Sequence, residues 1–277
     1  MVRAATAVLA EAGVASPQAD ALALAEHVLG LERLVLATAP EPPADFPGRY
    51  AQAVDRRRRR VPLQHITGAA HFRYLRLEVG PGVFVPRPET EVVAGAAIEE
   101  ACTRARPVVV DLCAGSGAIA LSVAREVHAA VVTAVELGAE PVATIEANAR
   151  RLGLSVRVVR ADATEPGTLR ELDGRVDVVV ANPPYIPPDA VPVDPEVRDH
   201  DPDLALYGGG SDGLEIPRGV LGRGIALLRS GGLLVMEHAE VQAAAVRALA
   251  RESGALEEIS TGVDLTGRDR MLVARRR

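Results

Sequence analysis

Lysine is absent from this chain: all 31 basic residues are arginine, a usage that we read as coding bias rather than function. Tryptophan is also missing, and aromatic residues make up only 3% of the 277 positions. Only two cysteines occur, Cys102 and Cys113, too few and too poorly spaced for a disulfide framework or a zinc site, so no metal is expected. A reduced, cytoplasmic setting is the simplest expectation. There is no excess of positive charge either. The net charge of −6 argues against a chain whose main task is gripping phosphate backbones, and no direct nucleic-acid substrate is expected. Apolar runs are short: no window reaches the length a membrane helix requires. Glu11 interrupts the first apolar run, which argues against a signal peptide.

What is present is a soluble, globular composition, 48% hydrophobic and 25% charged, long enough for one large domain with a small companion. Residues 1–62 read as a small helical domain, with apolar positions at helical spacing in "VRAATAVLAEAG" and "ADALALAEHVLGL". Ser16 before Pro17 supplies a helix start and Gly30 a stop. "APEPPADFPG" is a proline-rich connector, and "RYAQAVDRRRRR" reads as a further helix. From residue 63 to 88 the period shifts towards alternation, punctuated by Gly68 and by Gly80-Pro81-Gly82, which predicts a β-hairpin linker. Residues 89–277 alternate apolar strands with helices, the pattern of an α/β domain with a doubly wound, mostly parallel sheet.

Within "VVVDLCAGSGAIA", Gly115, Gly117 and Ala120 form a G-x-G-x-x-A turn between strand and helix. Such a turn can cradle a dinucleotide or S-adenosylmethionine, and Glu136, closing the next strand, can take the ribose hydroxyls of either. Asp111 favours the methyl donor. A carboxylate just before the loop repels a pyrophosphate but attracts the cationic amino end of S-adenosylmethionine. Cys113 is expected to be a small residue that lets the backbone approach closely, not a nucleophile. Asp162, ending a third strand, sits where an adenine amino group could be met, although a helix cap or a solvated loop residue reads equally well.

A fourth strand ends in "VVVANPPYIPP". In an open α/β sheet the ligand crevice lies beyond the carboxyl ends of the strands, so Asn182, Pro183, Pro184 and Tyr185 should face the donor. Each proline fixes φ and offers no N–H, leaving a stiff edge of acceptors. A planar amide or ring-amino nitrogen is a weak nucleophile because its lone pair is delocalised. The Asn182 side-chain oxygen and the Pro183 carbonyl can each accept one of its N–H groups, aiming the lone pair at an electrophilic methyl, while Tyr185 stacks on the plane.

"QHITG", "VPRPETE", "DLCAGSGAIALSVA", "AVELGAEPVATIEANARRLG", "DVVVANPPYIP", "DPDLALYGGGSDGLE", "GGLLVMEHAEVQ" and "DLTGRDRMLVARR", in that order, resemble the HemK/PrmC family of release factor glutamine methyltransferases. "SPQADALALAEHVLG" resembles that family's helical front domain, so the likeness covers nearly the whole chain. It implies a Rossmann-like class I methyltransferase domain, with S-adenosyl-L-methionine as donor and S-adenosyl-L-homocysteine as product. It also implies methylation at N5 of the glutamine in the Gly-Gly-Gln motif of class 1 peptide chain release factors. By the same likeness Cys113, Ala114, Gly115, Ser116, Gly117, Glu136, Ala163 and Asn182 line the donor, and residues 182–185 hold the glutamine amide. His65 stands where the family usually has tyrosine, and Glu136 where aspartate is common. Arg87, within "VPRPETE", is a candidate substrate contact or an ion-pair partner of Glu89 or Glu91. The run Arg56 to Arg60 reads first as a solvated helix end, and alternatively as a surface for an acidic partner. A monomer acting on a release factor is expected. The same chemistry on a ribosomal-protein glutamine or a DNA amino group, and a silent binding protein on the same fold, stay open at this point.

Overall fold

The computed structural model describes residues 1–39 and 41–277. Pro40, within the expected proline-rich connector, lies outside the described residues. The described helices are α1 (Val2–Glu11), α2 (Pro17–Leu29), α3 (Phe46–Arg58), α4 (Leu63–Thr67), α5 (Thr90–Cys102), α6 (Ala118–Glu126), α7 (Ala139–Leu152), α8 (Pro195–His200), α9 (Asp203–Leu206), α10 (Glu215–Leu227) and α11 (Ala243–Glu252). The strands are β1 (Ala69–Phe72), β2 (Leu75–Glu78), β3 (Val108–Leu112), β4 (Val131–Glu136), β5 (Arg157–Arg160), β6 (Val176–Ala181), β7 (Leu228–Glu237), β8 (Leu256–Val263) and β9 (Asp269–Arg276).

Two compact units result. The first takes in Met1–Ala69, Val79–Pro81 and Pro192–His200. Its core joins Leu9, Leu24, Phe46 and Tyr50, and burying each leucine stabilises the unit by about 2 kcal/mol. Helix α2 begins at Pro17, but Ser16 makes no side-chain cap. Instead its carbonyl accepts the Asp20 N–H at 2.9 Å. Gly30 closes the helix with φ of 69°, a conformation that costs glycine nothing. The "QHIT" stretch, expected within a hairpin, is the helical turn α4, stopped by Gly68 at φ 71°. Alternation there was too short to outweigh a turn that the Pro62 carbonyl closes with the His65 and Ile66 N–H groups.

The second unit takes in Ala70–Glu78, Gly82–Val191 and Asp201–Arg277. Strands β1 and β2 pair as a hairpin, and the other seven form one sheet in the order β5-β4-β3-β6-β7-β9-β8. All neighbours from β5 through β7 are parallel, while β9 runs antiparallel to both β7 and β8. Adjacent strand residues serve opposite faces. Val109 and Val178 pack with Val93, Leu121 and Ile145 on one side, whereas Val110 and Val179 pack with Leu221, Leu227 and Val246 on the other. Helices therefore cover both faces of a mostly parallel sheet, and its central strands β3 and β6 are almost wholly buried, while the edge strands β5 and β8 are not. Strand order reverses at β3, which has β4 on one side and β6 on the other, and such a switch point opens a crevice above the strand ends.

Candidate active site

Register brings the two sequence motifs together. Leu112 of β3 pairs with Ala181 of β6, so Cys113 and Asn182 leave the sheet as neighbours. Met236 of β7 pairs with Ala181 on its other side, which places Glu237 next to Asn182 in turn.

The loop after β3 is built by leaving side chains out. Cys113, Gly115 and Gly117 all have positive φ, at 65°, 55° and 82°. A Cβ on Gly117 would sit 3.0 Å from Ile145 Cγ2, so the closing turn needs glycine on grounds of both space and backbone. Above Gly115 the corresponding space is open. The Ala114 N–H donates to the Val135 carbonyl at 3.0 Å, and Ala114 and Ser116 are the buried side chains of the loop. Glu136 fixes the loop from β4: one oxygen accepts the Gly115 N–H and the other the Gly138 N–H, both at 2.8 Å.

Asp111 is fully buried. Its Oδ2 accepts the Ala120 N–H in the first turn of α6 at 3.0 Å, whereas Oδ1 has no partner among the described residues. Burial pushes its pKa up to about 8, opposed by the Ala120 N–H and reinforced by the nearby Glu136. Burial thus favours the neutral carboxyl, a condition the sequence does not reveal. Burial and the same acidic surroundings raise the Cys113 thiol well above its ordinary range, which keeps it unreactive. Asp162 uses Oδ1 to accept both the Thr164 N–H, at 2.8 Å, and the Thr164 hydroxyl, at 2.7 Å, so it braces its own loop; Ala163 beside it is buried.

The segment after β6 is built by tying groups down. The Asn182 amide N–H donates to the Thr90 hydroxyl at 3.3 Å, which turns Oδ1 the other way. Tyr185 donates its hydroxyl proton to Glu237 Oε1 at 3.3 Å, and its carbonyl accepts the Gln242 side-chain N–H at 2.8 Å. Pro183 and Pro184 are buried between these anchors. A second strand-like piece supports them: the Ile186 N–H donates to Leu206 O at 2.8 Å, and Gly208 N–H returns to Ile186 O at 2.9 Å. A Cβ on Gly208 would come within 2.7 Å of the Pro184 carbonyl, and one on Gly213 within 2.7 Å of Pro187 N. Those glycines let backbone lie directly on backbone.

Two expectations need correction. Arg87 does not pair with Glu89 or Glu91. It forms an ion pair with the buried Asp201 while its guanidinium lies 4.8 Å over the Phe84 ring, and Glu91 is engaged by Arg73 instead. The arginine run is not a solvated helix end throughout. Arg57 is buried against Asp20 at 2.7 Å and Glu196 at 2.6 Å, and Arg60 takes Glu196 at 2.5 Å. Arg56, Arg58 and Arg59 stay exposed, the last two paired with Asp55. His65, which stands where the family usually has tyrosine, is buried, and its carbonyl accepts from Arg56 at 3.4 Å. Thr90, Gly208, Gly213, Glu237 and Gln242 carry no role in the sequence reading. The available signal was an acidic residue ending the apolar run "LLVME" and a glycine cluster unexplained by turns.

A family model of the PrmC N-terminal domain matches residues 1–68, and one of the methyltransferase small domain matches residues 80–193. The chain is 48% identical over 275 residues to a release factor glutamine methyltransferase of Streptomyces coelicolor, covering 98% of this chain and 95% of that protein. It is 45% identical to one of Bifidobacterium longum, covering 99% and 98%, and 43% identical to one of Mycobacterium tuberculosis, covering 98% and 89%. Among solved structures, a Thermus thermophilus 16S rRNA N2 G1207 methyltransferase in complex with AdoMet and guanosine superposes with a TM-score of 0.53 at 21% identity, over 76% of this chain and 50% of that one. A Pyrococcus furiosus methyltransferase gives 0.52 at 19%, over 73% and 88%. At those identities the structural likeness concerns the fold.

Proposed function

Because the chain belongs to the release factor glutamine methyltransferase family, we propose that its crevice transfers a methyl group from S-adenosyl-L-methionine to the side-chain amide nitrogen of the glutamine in a release factor's Gly-Gly-Gln motif. The observation that carries the reading is the register pair Leu112 and Ala181, which puts a glycine cradle and an acceptor edge side by side. The residues fit the donor. Open space over Gly115, an unpartnered buried oxygen on Asp111 and the carboxylate of Glu136 suit a ligand with a cationic amino end and a ribose. When bound, that donor supplies an electrophilic methyl on a sulfonium.

The protein's own residues do the rest. Cys113 to Gly117 give backbone approach, Glu136 accepts from hydroxyls, and Asp162 with Ala163 borders the far end of the cradle. Asn182 Oδ1 and the Pro183 carbonyl accept the two N–H groups of the glutamine amide and turn its lone pair outwards. Both acceptors gain strength as the nitrogen becomes positive in the transition state, so they favour it over the ground state. Pro184 and Tyr185 wall the amide plane. Arg87 acts one step back, holding the Asp201 segment in place. We take residues 1–62 as a substrate-binding helical domain, 63–88 as a linker and 89–277 as the catalytic domain, in a cytoplasmic monomer. No helix among the described residues is long and apolar enough to cross a membrane.

The test uses labelled S-adenosylmethionine with a release factor, its Gly-Gly-Gln variant carrying alanine for glutamine, ribosomal protein and DNA. Label entering only the intact release factor is the expected result. Label entering DNA or ribosomal protein instead overturns the substrate.

A further inference from the structure

Behind the acceptor edge lies a carboxyl group that the proposed chemistry leaves without a task. Glu237 ends β7 and is only 2% exposed. Burying an isolated carboxylate costs several kcal/mol, so its retention beneath the site calls for a cause. Its surroundings point in one direction. Oε1 accepts the Tyr185 hydroxyl at 3.3 Å, the Thr90 hydroxyl faces the same carboxylate, and Oε2 has no hydrogen-bond partner among the described residues. Thr90 already accepts the Asn182 amide N–H at 3.3 Å. A hydroxyl that accepts from an amide keeps one proton to donate, and the carboxylate is the acceptor facing it. Asn182 and Tyr185 therefore share one terminus.

Resting on the proposed function, we propose that Glu237 is the positioning residue of the acceptor edge, orienting Asn182 through Thr90 and Tyr185 directly, with its negative charge polarising Asn182 Oδ1 towards the substrate nitrogen. Chained hydrogen bonds polarise one another, and an ionised terminus strengthens the chain. A charge fixed beneath the edge also opposes the positive charge that develops on the methylated nitrogen. Glu237 touches neither donor nor substrate in this account.

Protonation then becomes a switch. Burial raises the Glu237 pKa to about 7; the Thr90 and Tyr185 hydroxyls and Arg270 on β9 oppose the rise, and Glu89 before α5 adds to it. His238 follows on the same strand, with Nδ1 at 2.9 Å from Ala239 O, and burial lowers its pKa. Arg270 is itself tied to Asp264 at 3.0 Å, so its charge is shared.

The experiment compares E237Q, Thr90→Val and Thr90→Ser with the wild type. Single-turnover transfer to a release factor is followed across pH, alongside binding of S-adenosylhomocysteine by calorimetry and the carbon-13 carboxyl resonance of Glu237. We expect E237Q and Thr90→Val to slow transfer tenfold or more, with release-factor KM and product affinity changed less than about threefold, while Thr90→Ser retains the rate. The wild type should lose rate as pH falls through about 7, in step with the Glu237 resonance, and E237Q should lose that limb. A wild-type rate and acid limb in E237Q, or a Glu237 resonance that titrates as in solution, overturns the proposal. If the wild type labels no release factor the functional reading fails on its own, and the resonance, compared between wild type and Thr90→Val, still decides whether Glu237 ends the chain.

Discussion

Two loops leave the sheet side by side, one after β3 and one after β6, and they are built by opposite means. Residues 113–117 gain their shape by omission: glycines, a cysteine at positive φ and open space above Gly115. Residues 182–185 gain theirs by restraint, with prolines in the backbone, Thr90, Glu237 and Gln242 on the side chains and carbonyl, and Gly208 and Gly213 packed beneath. A ligand held mostly by shape needs room. A weak nucleophile that must be aimed needs acceptors that do not yield. The first loop should therefore govern donor affinity, and the second the rate of transfer.

The largest test of that division is Asn182→Ala. Removing the side-chain acceptor should slow single-turnover transfer by about 10²–10³, as losing one preorganised partner of a developing charge does elsewhere. Donor affinity, measured by calorimetry, should change by less than about threefold; a parallel loss of binding would break the comparison. Next comes Gly208→Ala, whose methyl would collide with the Gly213 carbonyl and sit 2.7 Å from the Pro184 carbonyl. Overpacking of this kind costs about 1–3 kcal/mol, read as a lowered melting temperature, and the shifted edge should also slow transfer about tenfold with donor affinity kept. Gly117→Ala is the mirror case. Its positive φ and the nearby Ile145 should cost about 1–2 kcal/mol and weaken donor binding, while the rate at saturating donor stays close to wild type.

Asp111→Asn is the smallest and the most pH-dependent. Aspartate 111 is raised from 3.8 to about 8, so the folded chain holds a proton there that an unfolded chain has released. Its contribution to stability is lost as pH climbs through that window. Asparagine cannot ionise. The melting temperature of the variant relative to wild type should accordingly improve between about pH 4 and about pH 8 and then level off, while donor affinity falls about tenfold, or ~1.4 kcal/mol. A variant whose relative stability ignores pH would place the carboxyl outside this account.

Much of this arrangement was legible from periodicity and punctuation. Apolar strands alternating with helices gave the doubly wound sheet, and the two strand-end motifs fell on the crevice because topology leaves them nowhere else to go. What stayed hidden depended on long-range pairing. Arg57 reads as one charge in a run of five, and only the fold brings Asp20 and Glu196 to it. Arg87 has acidic neighbours two and four positions on, yet its partner is Asp201, far along the chain. Glu237 looks like a polar stop to a strand until Tyr185 and Thr90 are seen against it. "QHIT" was too short for alternation to decide, and backbone hydrogen bonds from Pro62 settled it as a turn of helix.

The most direct check is a double-mutant cycle of Asp111→Asn and Asn182→Ala, read as the single-turnover transfer rate at saturating donor. The account predicts that Asp111→Asn alone leaves this rate near wild type, and that Asn182→Ala lowers it by the same factor in either background. A saturated rate that Asp111→Asn depresses as far as Asn182→Ala does would contradict it, because the two loops would then share one task.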